Sequence, residues 1–216
     1  MPGSVGPRGG AAALVLELDT PHGSARVHLH RVDRPVAALV LGHGAGGGVA
    51  APDLVAATKA AQALEISVAL VEQPYRVAGR RSPAPARQLD AAWTAVLAQL
   101  REDALSGLAL MSGGRSSGGR VACRTAAVTG AIAVVCLAFP LHPPGRGDDP
   151  TKSRLYELDA VPVPTLVLQG LSDPFGMPPE GAGRTVLRVP GDHALRNSAA
   201  VSAAASEWLA ARIAAM

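Results

Sequence analysis

The sequence predicts a three-layer α/β fold: a mostly parallel, twisted sheet with helices on both faces and an antiparallel hairpin at its N-terminal edge. Three observations carry that expectation. Continuous apolar runs, the kind buried on both faces of a parallel sheet, recur at Val36 to Leu41, Ile66 to Val71 and Ala131 to Phe139. Helix-capable stretches alternate with such runs, as the crossovers of a parallel sheet require. Short loops rich in Gly, Ser, Asp and His follow several of them, and no internal repeat or linker breaks the pattern.

Leu14 to Leu18 and Arg26 to His30 alternate in polarity across a Pro21-His22-Gly23-Ser24 turn, which reads as the edge hairpin. Period two puts His28 and His30 on one face, and they and His22 are expected to be exposed. Val36 to Leu41 runs into Gly42-His43-Gly44-Ala45-Gly46-Gly47-Gly48, and Pro52 then opens a helix reaching about Leu64. Ile66 to Val71 ends in a turn, Glu72 to Arg76, that leads to Gly79-Arg80-Arg81-Ser82-Pro83; a helix follows from about Arg87 to Arg101. Leu108 to Met111 reads as a strand, Ser112 to Arg120 as a Gly-rich turn and Val121 to Val128 as a helix. Pro140 closes the strand at Ala131 to Phe139, and a loop from Leu141 to Pro150 leads to a short helix. Strands at Thr165 to Gln169 and Thr185 to Val189, then a helix from about Ser198 to Ala214, complete the chain.

Length and composition bound the reading. With 216 residues, 48% of them hydrophobic, the chain is long enough to bury a sizeable core, and 11–216 is expected to form one domain behind a loose Pro/Gly-rich stretch, 1–10. Twenty Lys and Arg against 17 Asp and Glu leave a formal charge of only +3, and no basic tract with interleaved aromatics is present, so a nucleic-acid partner is not expected. No apolar run approaches the roughly 18 residues that span a bilayer, and Ala11 to Leu16 is too short for a signal peptide, so no membrane partner is expected. Cys123 and Cys136 read as small buried hydrophobes, and so few cysteines suit a reducing cytoplasm. No metal-ligand spacing is present and no cofactor is implied; a monomer or a homodimer fits equally.

The chemistry concentrates at Gly114-Arg115-Ser116-Ser117-Gly118, a match to G-x-S-x-G directly after an apolar strand and before a helix. In a nucleophile elbow this turn holds a serine in a strained conformation at its tip, with glycines where side chains would strike the strand and helix. Ser117 is a rival, but two residues before it stands Arg115 rather than glycine, so Ser116 fits the frame. Loops after the strand ends of a parallel sheet gather along one edge. There Asp173 follows one strand and His193 the next, giving the chain order Ser, Asp, His. A histidine takes the serine's proton during attack, and a buried carboxylate fixes the imidazole's tautomer and stabilises its cation. The tetrahedral oxyanion would accept from the N–H of Ser117 and from an N–H near Gly44 and Ala45.

Rivals exist for each role. Asp148, Asp149 or Asp192 are alternative acids, and His43 and His142 alternative bases, although neither histidine follows the last strand. His142, together with Arg80, Arg81 and Arg115, is a candidate to touch the substrate, the arginines by holding an anionic group; the plainer reading ties the arginines to Glu72 and nearby carboxylates. Gly42 to Gly47 also matches G-x-G-x-x-G, which would make the protein a nucleotide binder with Glu72 on a ribose, but the helix starts only at Pro52, past the third glycine.

Taken together, Gly42-His43-Gly44-Ala45-Gly46, Gly79-Arg80-Arg81-Ser82-Pro83, Gly113 to Arg120, Leu141-His142-Pro143-Pro144-Gly145, Gln169-Gly170 with Asp173-Pro174-Phe175-Gly176, and Gly191-Asp192-His193 resemble the α/β-hydrolase superfamily in its small, cap-less, dienelactone-hydrolase-like form. The nearest branch is the one holding the testis-expressed and NSL-complex-subunit hydrolase-like proteins. The resemblance spans about residues 36 to 213 and implies an α/β-hydrolase fold without a lid domain, with the triad on Ser116, Asp173 and His193. Dienelactone hydrolases proper use cysteine, so a dienelactone substrate does not follow. The expected function is a serine hydrolase acting on an ester or thioester of a small acyl group. The alternative is an interaction or scaffold protein on a hydrolase fold, since that branch includes such members.

Overall fold

The computed structural model describes residues 13–147 and 149–216; the expected loose segment 1–10 and the alternative acid Asp148 lie outside the described residues. Eight strands form one sheet: β1 (Leu14–Leu18), β2 (Ala25–His30), β3 (Ala37–Gly42), β4 (Ile66–Glu72), β5 (Leu110–Arg115), β6 (Val134–Leu137), β7 (Thr165–Gly170) and β8 (Arg184–Val189). Their spatial order is β1-β2-β4-β3-β5-β6-β7-β8, parallel from β4 to β8, with β1 and β2 joined to β4 by antiparallel pairing. The helices are α1 (Pro52–Ala63), α2 (Pro74–Val77), α3 (Ala86–Glu102), α4 (Ser117–Thr129), α5 (Leu155–Asp159) and α6 (Ser198–Ala214), with a 3₁₀ turn at Pro150–Lys152.

Period-two alternation divides β3 between two cores. Ala38 and Val40 face α3 and α4, packing with Trp93, Leu97 and Val121. Leu39 and Leu41 face α1 and α6, packing with Leu54, Ala57, Val201 and Leu209. The two buried layers explain why these strands read as unbroken apolar runs. Because β3 pairs with both β4 and β5, the chain order reverses there, and a crevice opens at the carboxyl ends of β3 and β5.

Several expectations are corrected. The strand before the elbow continues through Gly113 and Gly114 to Arg115, so the turn is confined to Ser116. The glycines are there because the sheet leaves no room: a Cβ on Gly113 would strike the Val135 carbonyl. The strand expected over Ala131 to Phe139 is only Val134–Leu137, since Ala138 turns out at φ 53°, although Phe139 stays buried. The turn after β4 contains the short helix α2. His28 and His30 are half-buried rather than exposed, and His28 pairs with Glu72 at 3.1 Å. Cys123 and Cys136 are buried, free thiols as expected, with Sγ atoms 3.4 Å apart.

Candidate active site

The elbow is tightly packed. Ser116 adopts φ 51°, ψ −110° between β5 and α4, a conformation that costs on the order of 1–3 kcal/mol unless the surroundings enforce it. They do: a Cβ on Gly114 would lie 2.5 Å from the Gly42 oxygen, and one on Gly118 would strike that same oxygen, so β3 and α4 meet with glycine backbones between them. The Ser116 N–H is tied to the Leu137 carbonyl at 2.8 Å.

Around this tip the three side chains singled out from sequence converge. His193 Nε2 is 3.0 Å from Ser116 Oγ, and His193 Nδ1 is 2.8 Å from Asp173 Oδ2. A carboxylate only accepts, so Nδ1 carries the proton and Nε2 is left to accept from the serine hydroxyl. The Asp173 side chain is 1% exposed and that of His193 17%, so the carboxylate is sealed while the imidazole meets solvent. The edge of the Phe175 ring packs against the imidazole, with centroids 4.3 Å apart. Ser117, the rival nucleophile, opens α4, where its N–H has no intrahelical acceptor.

Two residues to which sequence reasoning assigned no role in the site, Gln169 and Asp53, hold this arrangement. Gln169, wholly buried on β7, donates through Nε2 to Asp173 Oδ2 at 2.8 Å and to the carbonyls of Gly176 and Phe139. The available signal was a polar residue closing an otherwise apolar strand, Thr-Leu-Val-Leu-Gln. Asp53, in the first turn of α1, is fully buried with Oδ2 2.9 Å from Arg115 Nε, an ion pair by proximity that is not aligned as a hydrogen bond. Burial pushes the Asp53 carboxyl above its ordinary value, and the Arg115 charge opposes that rise.

The remaining candidates separate. Arg115 is not a free cation awaiting a substrate anion: Asp53 takes its Nε, and its Nη2 donates to the His193 carbonyl at 3.2 Å. Arg80 and Arg81 are exposed, and Glu72, their expected partner, pairs instead with His28 and Arg26. His142 lies against the Asp173–Gly176 turn: its backbone N–H donates to the Phe175 carbonyl, and a Cβ on Gly176 would come within 3.0 Å of its Nδ1. Asp192 caps Ala194 and faces Arg196, while Asp149 caps the 3₁₀ turn, so neither reaches the imidazole's free edge. His43 is engaged on both ring nitrogens, Nδ1 donating to the Gly44 carbonyl and Nε2 accepting from the Gln73 N–H, and burial holds its pKa below the ordinary value. The nucleotide reading weakens further at α1, whose leading N–H from Leu54 is taken by the Asp53 carboxylate.

This fold, with a serine, a histidine and a carboxylate in register at the crevice, defines a class that comparison with known proteins specifies. Residues 35–207 match the family described as "Alpha/beta hydrolase domain", and the chain belongs to that family. Solved structures share the fold. A lidless α/β serine hydrolase from Xanthomonas campestris is 21% identical, with a TM-score of 0.69 over 94% of this chain and 98% of its own. Est1E from Butyrivibrio proteoclasticus is 14% identical, with a TM-score of 0.74 over 93% and 99%. A dienelactone hydrolase from Anabaena variabilis is 17% identical, with a TM-score of 0.69 over 91% and 96%. No curated protein matches the chain by sequence. Among the described residues no helix is long and apolar enough to cross a membrane.

Proposed function

We propose that the protein hydrolyses an ester or thioester of a small acyl group through an acyl-enzyme on Ser116, with His193 as base and Asp173 orienting it. The observation that carries this is the hydrogen-bonded line from Ser116 Oγ through His193 to Asp173, at 3.0 and 2.8 Å. Ser116 Oγ attacks the carbonyl carbon as His193 Nε2 takes its proton. The tetrahedral intermediate collapses, the C–O or C–S bond breaks, and the same proton passes to the departing alcohol or thiol. Water then attacks the acyl-enzyme, giving its proton to Nε2, and the acid leaves as Ser116 recovers its hydrogen.

The oxyanion accepts from the N–H of Ser117 and from the loop at Gly44 and Ala45. Peptide planarity supports the second donor: the Gly44 carbonyl is held by His43 Nδ1–H and by the Gly47 N–H, so the trans N–H of Ala45 points the opposite way. The Ala45 carbonyl is held in turn by the Tyr75 hydroxyl at 2.8 Å. A hollow lined by Gly42, His43, Tyr75, Trp93 and Ser117 among others has about 10 Å³ of room, roughly one water, so side chains fill the space on that side of Ser117. His142, packed beside the acid's turn, is a proposed substrate contact.

A fluorophosphonate probe tests the reading. Wild type should be labelled at Ser116 and turn over p-nitrophenyl acetate or a short acyl thioester, and Ser116→Ala should lose both. A wild type inert to the probe and to both substrates would overturn it, and a partner captured equally by Ser116→Ala would then speak for a scaffold.

A further inference from the structure

We propose that Arg115, the freely chosen position of the elbow motif, is a positioning residue that ties the loop of the base to the loop of the nucleophile, with Asp53 holding its guanidinium in place. The inference rests on the hydrolase reading for its effect on rate, and on geometry alone for its effect on structure.

Each side of the guanidinium faces a different part of the crevice. Nε lies 2.9 Å from the fully buried Asp53 in α1, and Nη2 donates to the main-chain carbonyl of His193 at 3.2 Å. Nη1 lies against the oxyanion loop, where a Cβ on Gly44 would come within 2.9 Å of it; glycine is what lets the arginine pass. That same Cβ would stand 3.6 Å from Ser116 Cβ, so Gly44 lies close to both the guanidinium and the serine. The His193 segment, by contrast, is a loop: Asp192 and Arg196 beside it are exposed, and the helix that follows starts only at Ser198. Pinning the His193 carbonyl fixes its Cα, and with it the reach of the imidazole to Ser116. A planar fork can face Asp53 with one edge and donate to the His193 carbonyl with another; a lysine ammonium is a single point charge and cannot reproduce that arrangement. Asp53 needs the arginine as well, because a carboxylate sealed from water must be paired.

The test replaces the ion pair by an apolar pair of similar volume, Arg115→Met with Asp53→Leu, a change that cores often accept without loss of stability. A displacement of about 1 Å at a reacting group costs on the order of a hundredfold in rate. The double variant should therefore keep a cooperative unfolding transition while kcat on p-nitrophenyl acetate falls about 10- to 100-fold with KM nearly unchanged. Arg115→Lys should retain an intermediate rate, and added guanidinium ion should restore part of the loss in Arg115→Ala. A crystal structure of the double variant reads the geometry whatever the substrate proves to be: the inference expects His193 Nε2 to leave hydrogen-bond reach of Ser116. Retention of the 3.0 Å pair, or a folded double variant with kcat within twofold of wild type, would overturn it. So would a rise in KM confined to anionic esters, which marks a substrate-binding arginine. Failure of the wild type to turn over any ester would count against the hydrolase reading only, because the separation measured in the crystal still decides this one.

Discussion

Three N–H donors hold the carboxylate of Asp173: the imidazole of His193, the backbone of Phe175, and the side-chain amide of Gln169. The Gln169 amide cannot be reversed, since turning its oxygen inward would set it against the Gly176 and Phe139 carbonyls as well as the carboxylate. It therefore fixes which oxygen of Asp173 faces the base. A hydrogen bond to a charged group contributes about 1.5–3 kcal/mol, and each 1.4 kcal/mol lost at the transition state is about tenfold in rate. Gln169→Leu, close in volume and unable to donate, should lower kcat on p-nitrophenyl acetate by about 10- to 100-fold with little change in KM. Steady-state kinetics check this, and a kcat within twofold would show that Phe175 N–H alone suffices. The convergence of Ser116, Asp173 and His193 was legible in the sequence because each is a chemically distinctive residue on the loop after its own strand. Gln169 was not, because one polar letter ending an apolar strand does not say what lies across from it. Arg115 was legible only as a cation: its partner Asp53 is remote in sequence and comes alongside only when α1 packs on the sheet.

At the scale of elements, the elbow's position depends on where α4 lies, and α4 is held from outside by a network centred on Glu157 in α5. Arg120 makes two contacts with it, at 2.8 and 2.6 Å, Arg124 adds one at 3.2 Å, and Arg124 also clasps Asp90 of α3. The Glu157 side chain is 1% exposed, so these arginines rather than water compensate its charge. Removing one partner of a buried ionic cluster costs about 3–5 kcal/mol, because the others remain desolvated and unpaired. Glu157→Ala should therefore shift the urea midpoint down by an amount equal to about 3 kcal/mol, with Glu157→Gln losing less; a loss under about 1 kcal/mol would class the cluster with exposed pairs. The sequence showed α3, α4 and α5 as separate helices but not this tie. It also took Gly113 and Gly114 for a turn, because glycine signals a break wherever it stands, whereas here it marks strands and a helix too close for any Cβ. Strand order was legible only as a class: alternation implies a parallel sheet, while the reversal at β3 that opens the crevice depends on which strand pairs with which.

For the molecule as a whole, acid should act first through histidines that the fold keeps neutral. His43 lies beside the Gly44–Ala45 loop, edge-on to Tyr75, with Glu72 and Arg76 as the charges that act on it. Its Nε2 accepts the Gln73 N–H, so a proton added there breaks that bond and charges a buried ring. Burial lowers its pKa, and burial together with His28 lowers that of His30. In the unfolded chain both return to about 6.5. Between the folded and unfolded values the unfolded chain holds more protons, so stability rises with pH through that window. Stability should be level above about pH 7 and decline as pH falls below about 6.5, by at most about 1.4 kcal/mol per unit for each histidine that differs. Thermal unfolding at intervals between about pH 7.5 and 5.5, above the range where carboxylates titrate, measures the slope. His30→Gln should remove part of it with little other effect. His43→Gln should remove another part, and it should also slow acylation by the fluorophosphonate probe, because the Gly44 carbonyl loses the donor that sets the direction of the Ala45 N–H. A slope unchanged in His43→Gln would mean that the ring takes up its proton alike in the folded and the unfolded chain, against the burial that lowers its pKa.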